Sequence, residues 1–231
     1  MSSIRARITP EVHRFQLPLA VTATAIIFSI AAPSNGAYRM TGIFLTAAAV
    51  LLTLHAADVV ASRRHAVAAI LLVGTVMASV GTVAESAHWV RGIGELIIGI
   101  PIIWASIRTV IWIAEREVIT GQAVIGGVLV YLLIGLLFGQ IYGSVADLAP
   151  GNLFCEQGDG TQSDRVYFSF STITTTGFGD FVPCSSSTHA IAISEAVFGQ
   201  VYLVTIIALL VGNMGRRRAR PGDDETPRAD A

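Results

Sequence analysis

Apolar residues run along this chain in long, nearly uninterrupted blocks, and polar residues collect in short clusters between them. Six blocks come near the length that a membrane-crossing helix needs, about 20 residues. They predict helices over roughly residues 15–32, 38–61, 66–84, 90–114, 123–146 and 189–214. The first ends at the turn cluster Pro33-Ser34-Asn35-Gly36 and the second at Arg63-Arg64-His65. Pro101 is expected to kink the fourth. The blocks lack the polar face that a helix on a water-soluble protein presents. Between the fifth and sixth blocks, a polar stretch (147–164) is followed by a segment too brief to span, 166–174.

Composition sharpens this picture. Of the 231 residues, 53% are hydrophobic and only 13% are charged, too few to cover a soluble domain. All 15 basic residues are Arg, and the net charge of −1 gives no reason to expect a nucleic-acid partner. Arg5, Arg7, Arg14, Arg63, Arg64, Arg116, Arg216, Arg217, Arg218 and Arg220 fall on one side of the six-span layout, and Arg39, Arg91 and Arg165 on the other. The Arg-rich side is expected to be cytoplasmic. Both termini then lie inside a plasma membrane, and the polar stretch and short segment lie outside. The first block is followed by no small-residue cleavage site and is expected to be retained. No nucleophile–base pair or metal-ligand cluster points to an enzyme.

A short segment between two full spans can dip into a bilayer and return only where its irregular backbone lines a water-filled cavity or is buried in protein. Here it reads Tyr167-Phe168-Ser169-Phe170-Ser171-Thr172-Ile173-Thr174-Thr175-Thr176-Gly177-Phe178-Gly179-Asp180. Residues 166–174 suffice for about two helical turns. Gly177 and Gly179 then alternate with Phe178, and glycine enters the left-handed region at little cost. Alternation lets successive carbonyls point to one side. Several copies around an axis would form rings of oxygens able to replace the water shell of a cation. The Phe178 ring is expected to point away from that axis.

The string Thr-Thr-Thr-Gly-Phe-Gly-Asp resembles the potassium-channel signature, whose commonest form is Thr-Val-Gly-Tyr-Gly-Asp. Tyr167-Phe168-Ser169 and Thr172 resemble that family's pore helix, and Ser194-Glu195-Ala196-Val197-Phe198-Gly199-Gln200 its inner helix. The resemblance covers roughly residues 123–215 and is only topological before them. It implies potassium sites formed by the carbonyls of Thr175, Thr176, Gly177 and Phe178 with the Thr175 hydroxyl. Gly179 and Asp180 would shape the outer mouth, and Gly199 would let the inner helix bend. It also implies a homotetramer, a lipid bilayer around it, no cofactor beyond the transported ion, and no soluble substrate. The alternatives are a non-selective cation channel, a potassium-transporter subunit, which usually carries several single-glycine filters per chain, and a non-conducting membrane scaffold or sensor.

Phe178 in place of Tyr removes one hydroxyl, worth about 1 kcal/mol net. Thr176 in place of Val adds one that needs a partner. Phe168 and Ser171 are the positions expected to face Asp180, and Phe168 has no donor. A looser outer filter follows, which Phe168→Trp would tighten. The fourth block carries Arg91 and Arg108 but no arginine ladder, so little voltage dependence is expected. Asp58 and Arg108 are expected to pair within the membrane, with His55 one turn away as a source of pH sensitivity. Glu85, Arg91 and Glu95 are expected to form an interfacial ion network. Glu195 lies behind the filter, as a pH sensor or a satisfied polar contact.

Gly135, Gly139 and Gly143 form a stripe for close helix approach. Cys155 and Cys184 flank the short segment on the expected outer side, where disulfides persist. An intrasubunit bridge is expected, with free thiols next and an intersubunit bridge third. Asp147, Glu156, Asp159 and Asp164 would concentrate cations near the mouth.

The expected fold is thus an all-α membrane protein of six transmembrane helices plus a re-entrant pore helix and filter. Residues 1–121 form a four-helix domain that is voltage-sensor-like in topology only. Residues 122–215 form a pore domain, and 216–231 a disordered cytoplasmic tail. No ligand-binding domain is expected after Gly215, which leaves gating to the filter or the inner-helix hinge.

Overall fold

A computed structural model describes residues 14–33, 35–59, 61–84, 87–115 and 120–216, with the side chains at 61, 62 and 210–216 left aside. Arg5, Arg7, Glu85, Arg116 and the tail from residue 217 lie outside the described residues. The described chain is helical: α1 (Gln16–Ala31), α2 (Gly36–Ala56), α3 (Ala61–Val83), α4 (His88–Ala114), α5 (Gly121–Leu148), α6 (Gln162–Ile173) and α7 (Ser186–Arg216).

Five helices, α2, α3, α4, α5 and α7, are long and apolar enough to cross a membrane. The sixth predicted span, α1, has 16 residues. At about 1.5 Å per residue it reaches about 24 Å, short of a hydrocarbon core of about 30 Å. Of the breakers expected from the sequence, Asn35 acts as a cap, whereas Arg63, Arg64 and His65 lie inside α3 because α2 already ends at Ala56. The Asn35 side chain accepts from the Tyr38 amide at 3.1 Å and starts α2. Pro101 is buried within α4, whose helix continues on both sides of it.

Each helix packs on its chain neighbour, and α4 packs along α5, joining the four leading helices to the last three. The larger core cluster includes Phe15, Leu54, Leu71, Ile98, Ile102, Ile113, Leu129 and Leu133. A smaller, aromatic cluster of Phe138, Tyr142, Leu153, Phe154 and Phe168 sits where α5 gives way to the polar stretch. The four leading helices thus hold one flank of α5, leaving α6 and α7 beside the glycine loop that follows α6.

At the opposite end of the bundle, the expected Asp58–Arg108 pair is corrected: Asp58 pairs with Arg14. Asp58 follows α2 in a left-handed conformation, φ +53°, which turns it toward the segment leading into α1. Phe15 beside Arg14 is fully buried, and its amide donates to Gln122 Oε1 at 2.9 Å. His55 contacts Arg64 through Nδ1 at 2.8 Å. The Nε of Arg108 is buried with no hydrogen-bond partner among the described residues.

Candidate functional site

Missing side chains set α6 against its neighbours. A Cβ at Gly135 would lie 2.6 Å from the Phe170 ring, and one at Gly139 would lie 3.2 Å from Val166. The stripe on α5 therefore seats α6, the packing role its spacing predicts. On α7, a Cβ at Gly199 would lie 2.5 Å from Cγ1 of Ile173 and 2.9 Å from its carbonyl oxygen. α7 runs unbroken through Gly199, so here the residue permits close approach. The N-terminus of α6 is fixed by a capping box: Thr161 Oγ1 accepts from the Asp164 amide at 3.2 Å, and the Thr161 amide donates to Asp164 Oδ2 at 2.7 Å.

Beyond Ile173 the chain folds back on the last turn of α6. The Thr175 amide donates to Thr172 O at 2.9 Å, those of Thr176 and Gly177 to Ser171 O at 2.9 and 3.1 Å, and that of Phe178 to the Ser171 hydroxyl at 3.4 Å. These bonds occupy carbonyls that a helix end would otherwise leave open. They also fix the direction of the loop's own carbonyls. In a planar trans peptide, each N–H is antiparallel to the C=O of the preceding residue. Four successive amides turned toward α6 therefore turn the carbonyls of Thr174, Thr175, Thr176 and Gly177 away from it. Residues 174–180 are exposed in the single chain, so those oxygens face open space.

Alternating handedness makes this path possible: φ is +56° at Thr175, +56° at Gly177 and +82° at Gly179. The two glycines accept it freely. Thr175 is β-branched, and such a residue in that region stores about 1–3 kcal/mol of strain. The turn into the loop is held by side chains. Tyr131 Oη donates to Ile173 O at 2.9 Å, and Thr174 Oγ1 donates to Phe170 O at 2.6 Å. Thr176 does find a hydroxyl partner, Thr174 Oγ1 at 2.8 Å.

An aromatic chain backs the loop. Phe178 stacks on Tyr167 at 6.1 Å, and edge contacts lead on through Phe181, Phe154 and Phe168 to Tyr142. It ends at a fully buried carboxyl group, Glu195 on α7. Tyr142 Oη donates to Glu195 Oε2 at 2.7 Å, and the Ser169 hydroxyl lies 2.5 Å from Oε1 and 2.7 Å from Gly135 O. Glu195 thereby joins α5, α6 and α7 at one point.

The sequence reading placed the support of Asp180 one residue too far along. Phe168 is buried between Tyr142 and Phe154. Tyr167 is the side chain whose hydroxyl acts electrostatically on the Asp180 carboxylate. Ser171 serves the loop through the Phe178 amide instead. Gln157 Nε2 donates to Asp180 O at 2.7 Å, a contact from the polar stretch that no motif announced.

The polar stretch uses most of its acids internally. Asp147 pairs with Arg91, Asp164 sits in the capping box, and Asp159 Oδ1 accepts from the Leu153 amide at 3.1 Å. Glu95 pairs with Arg39 rather than with Arg91. An isolated bridge pairs Phe154 with Pro183, and the Cys155 and Cys184 amides donate across it at 3.0 Å each. Both cysteines are free and exposed. The Cys155 thiol donates to Pro183 O at 3.5 Å, and its interaction with the neighbouring Cys184 thiol, more than burial, pushes it above the ordinary thiol range. Cys155 is therefore expected to alkylate slowly at neutral pH and faster as the pH rises. Mild oxidation is expected to give an intrachain Cys155–Cys184 bridge in non-reducing peptide maps. Closing a loop of this length contributes about 3–4 kcal/mol. A dimer linked through either cysteine would contradict this.

With this geometry in view, comparison with known protein families adds one finding. Residues 126–215 match a family model described as ion channel. The matched segment begins within α5 and ends within α7, so it takes in the glycine loop and every residue that braces it from α6 and α7. Neither the curated proteins nor the solved structures gave a match.

Proposed function

We propose that the chain is one subunit of a homotetrameric potassium channel, passive and not an enzyme. The single observation that carries this reading is the run of amides from Thr175 to Phe178 turned back on α6, which leaves the preceding carbonyls free on the exposed side. Four such loops around an axis would stack rings of oxygens from Thr175, Thr176 and Gly177, three of the four carbonyls expected from the sequence, with Phe178 O completing the set and the Thr175 hydroxyl as the lowest ligand, and so replace the hydration shell of potassium. Gly179 and Asp180 would shape the mouth, on the outer side of a plasma membrane. The exposed apolar residues Ile193, Val197, Val201 and Val204 on α7 would be covered by neighbouring subunits or line the cavity below the filter. The four leading helices brace the pore domain through α4 and α5, and lack of an arginine ladder gives little voltage dependence.

Flux into proteoliposomes tests the reading. Potassium is expected to enter down its gradient and sodium to be excluded. Equal sodium flux would replace this reading with a non-selective channel, and no flux of either ion with a scaffold. On the same preparation, Tyr167→Phe keeps the stack on Phe178 but removes the hydroxyl that acts on the Asp180 carboxylate, and potassium flux should decay several-fold faster. An unchanged decay would mean that this hydroxyl does not restrain the filter.

A further inference from the structure

At the glycine-loop end, a cavity of about 300 Å³ opens between the four leading helices and α6. Arg39 of α2, Arg91 of α4 and Arg165 of α6 all line it. Their charges do not cancel. Arg39 pairs with Glu95, and Arg91 holds Asp147 through two bonds. Arg165 is only 4% exposed and has no carboxylate partner among the described residues. Its guanidinium donates to Asp159 O and Gly160 O at 3.0 Å each and reaches Gln162 Oε1 at 3.5 Å. Glu95 and Asp147 act on it at longer range, as do Arg39 and Arg91. Three guanidinium groups against two carboxylates leave one buried positive charge in excess, an arrangement that calls for an anion.

Two further features point into the cavity. The Nε of Arg39 and the Oε1 of Gln140 are buried without a hydrogen-bond partner, and both residues line it. Gln140 is itself only 4% exposed. The N-terminus of α2, where amides of the first turn favour negative charge, borders the same space through Gly36; the α6 N-terminus also lines it but is already capped by Asp164.

The cavity does not stand alone. Its lining residues Ala32 and Tyr38 also line an open apolar groove of about 490 Å³, completed by Thr24, Ile27, Phe28 and Ala31 of α1. A free inorganic anion would use the arginines and leave the groove unexplained. A polar head with one negative charge joined to a hydrocarbon chain would use both. We propose that this site binds an anionic glycerophospholipid of the surrounding leaflet, its phosphodiester among Arg39, Arg91 and Arg165 and an acyl chain along α1. Gln140 would contact the glycerol part of the head group.

The test is native mass spectrometry of the full-length protein in detergent, titrated with phosphatidylglycerol, with diacylglycerol of the same chains, and with inorganic phosphate as competitor. Wild type is expected to retain up to one phosphatidylglycerol per chain, bound at least about tenfold tighter than diacylglycerol, since the phosphate contacts are charge-assisted. Arg165→Gln should weaken phosphatidylglycerol about tenfold. Because Arg165 also ties down the Asp159–Gly160 turn, Ala31→Trp serves as a second variant: Ala31 is exposed and lines the groove but not the arginine cavity, so the tryptophan fills the groove and should weaken the lipid as well. Equal binding of the two lipids, or undiminished phosphatidylglycerol binding in both variants, would overturn the proposal. So would displacement by phosphate with Ala31→Trp unaffected, which would mark a site for free anions.

Discussion

Gly177→Ala is expected to abolish potassium flux while leaving the protein folded and its oligomeric state unchanged. A Cβ at Gly177 would meet nothing within 4 Å in the single chain, so crowding inside the chain is not the cause. The cause is the backbone, held at φ +56°. An L-residue there costs about 1–2 kcal/mol, or about 4–8 kcal/mol in the proposed tetramer. The adjacent Thr175 already bears such strain at the same φ. A second strained residue two positions on favours release by a flip of the peptide between them. A flip turns an amide toward the axis in place of a carbonyl and removes one ring of oxygens. Elution volume and helix content should match wild type, because α6 and its packing on α5 do not involve residue 177. Wild-type flux from this variant would mean that the loop is not the path of the ion.

Much of this arrangement was legible in the sequence, because long apolar blocks and paired glycines are local signals. Helices α2 to α5 and α7 follow the predicted blocks, and α6 follows the segment judged too short to span. Gly177 and Gly179 announced their positive φ values, since only glycine adopts them without strain. Thr175 did not, because a β-branched residue at φ +56° runs against its own preference and is held there by bonds from outside the motif. Those bonds explain most of the misses. Tyr131 reaches Ile173 from α5, and Gln157 reaches Asp180 from the polar stretch, each across a separation that spacing does not encode. Support for Asp180 was sought at Phe168 of α6, which packs into the aromatic cluster instead, whereas the Tyr167 hydroxyl is the one that acts on Asp180. Tyr167 and Phe168 lie on different faces of that helix, one toward the loop and the other toward the aromatic cluster.

Ion pairs were the least legible feature. Asp58 and Arg108 were paired by depth in a bilayer, a rule that orders helices along one axis but not around it. The segment before α1 brings Arg14 to Asp58 instead. At the other end, Arg91 and Glu95 sit one turn apart on α4 yet reach for different helices: Arg91 for Asp147 on α5 and Glu95 for Arg39 on α2. A Cβ at Gly143 would lie 1.9 Å from Glu95 Oε2, so the stripe that seats α6 also makes room for this carboxylate. The leading helices are thereby fastened to α5 by charge as well as by apolar packing, close to the glycine loop.

Glu195→Ala is expected to unfold the pore region more than any other single side-chain change outside the loop, whereas Glu195→Gln should be tolerated. The alanine leaves the Tyr142 hydroxyl without a partner in a space that water does not reach, which costs about 1–3 kcal/mol, while Ser169 keeps Gly135 O. The cavity left by the lost side chain adds to this. A total of about 3–5 kcal/mol is a large share of a typical domain's stability. Glutamine has the same shape, and its amide meets the geometry. Its oxygen can accept from Tyr142, and its N–H can donate to the Ser169 hydroxyl. Ser169 has one hydrogen and two acceptors in reach, Glu195 Oε1 and Gly135 O. A donor from residue 195 frees that hydrogen for Gly135, where it ties α6 to α5. Thermal unfolding of the detergent-solubilised protein separates the cases: a drop of many degrees for alanine beside little change for glutamine supports a hydrogen-bonded brace. Equal loss in both variants would mean that the carboxylate charge itself holds the three helices together.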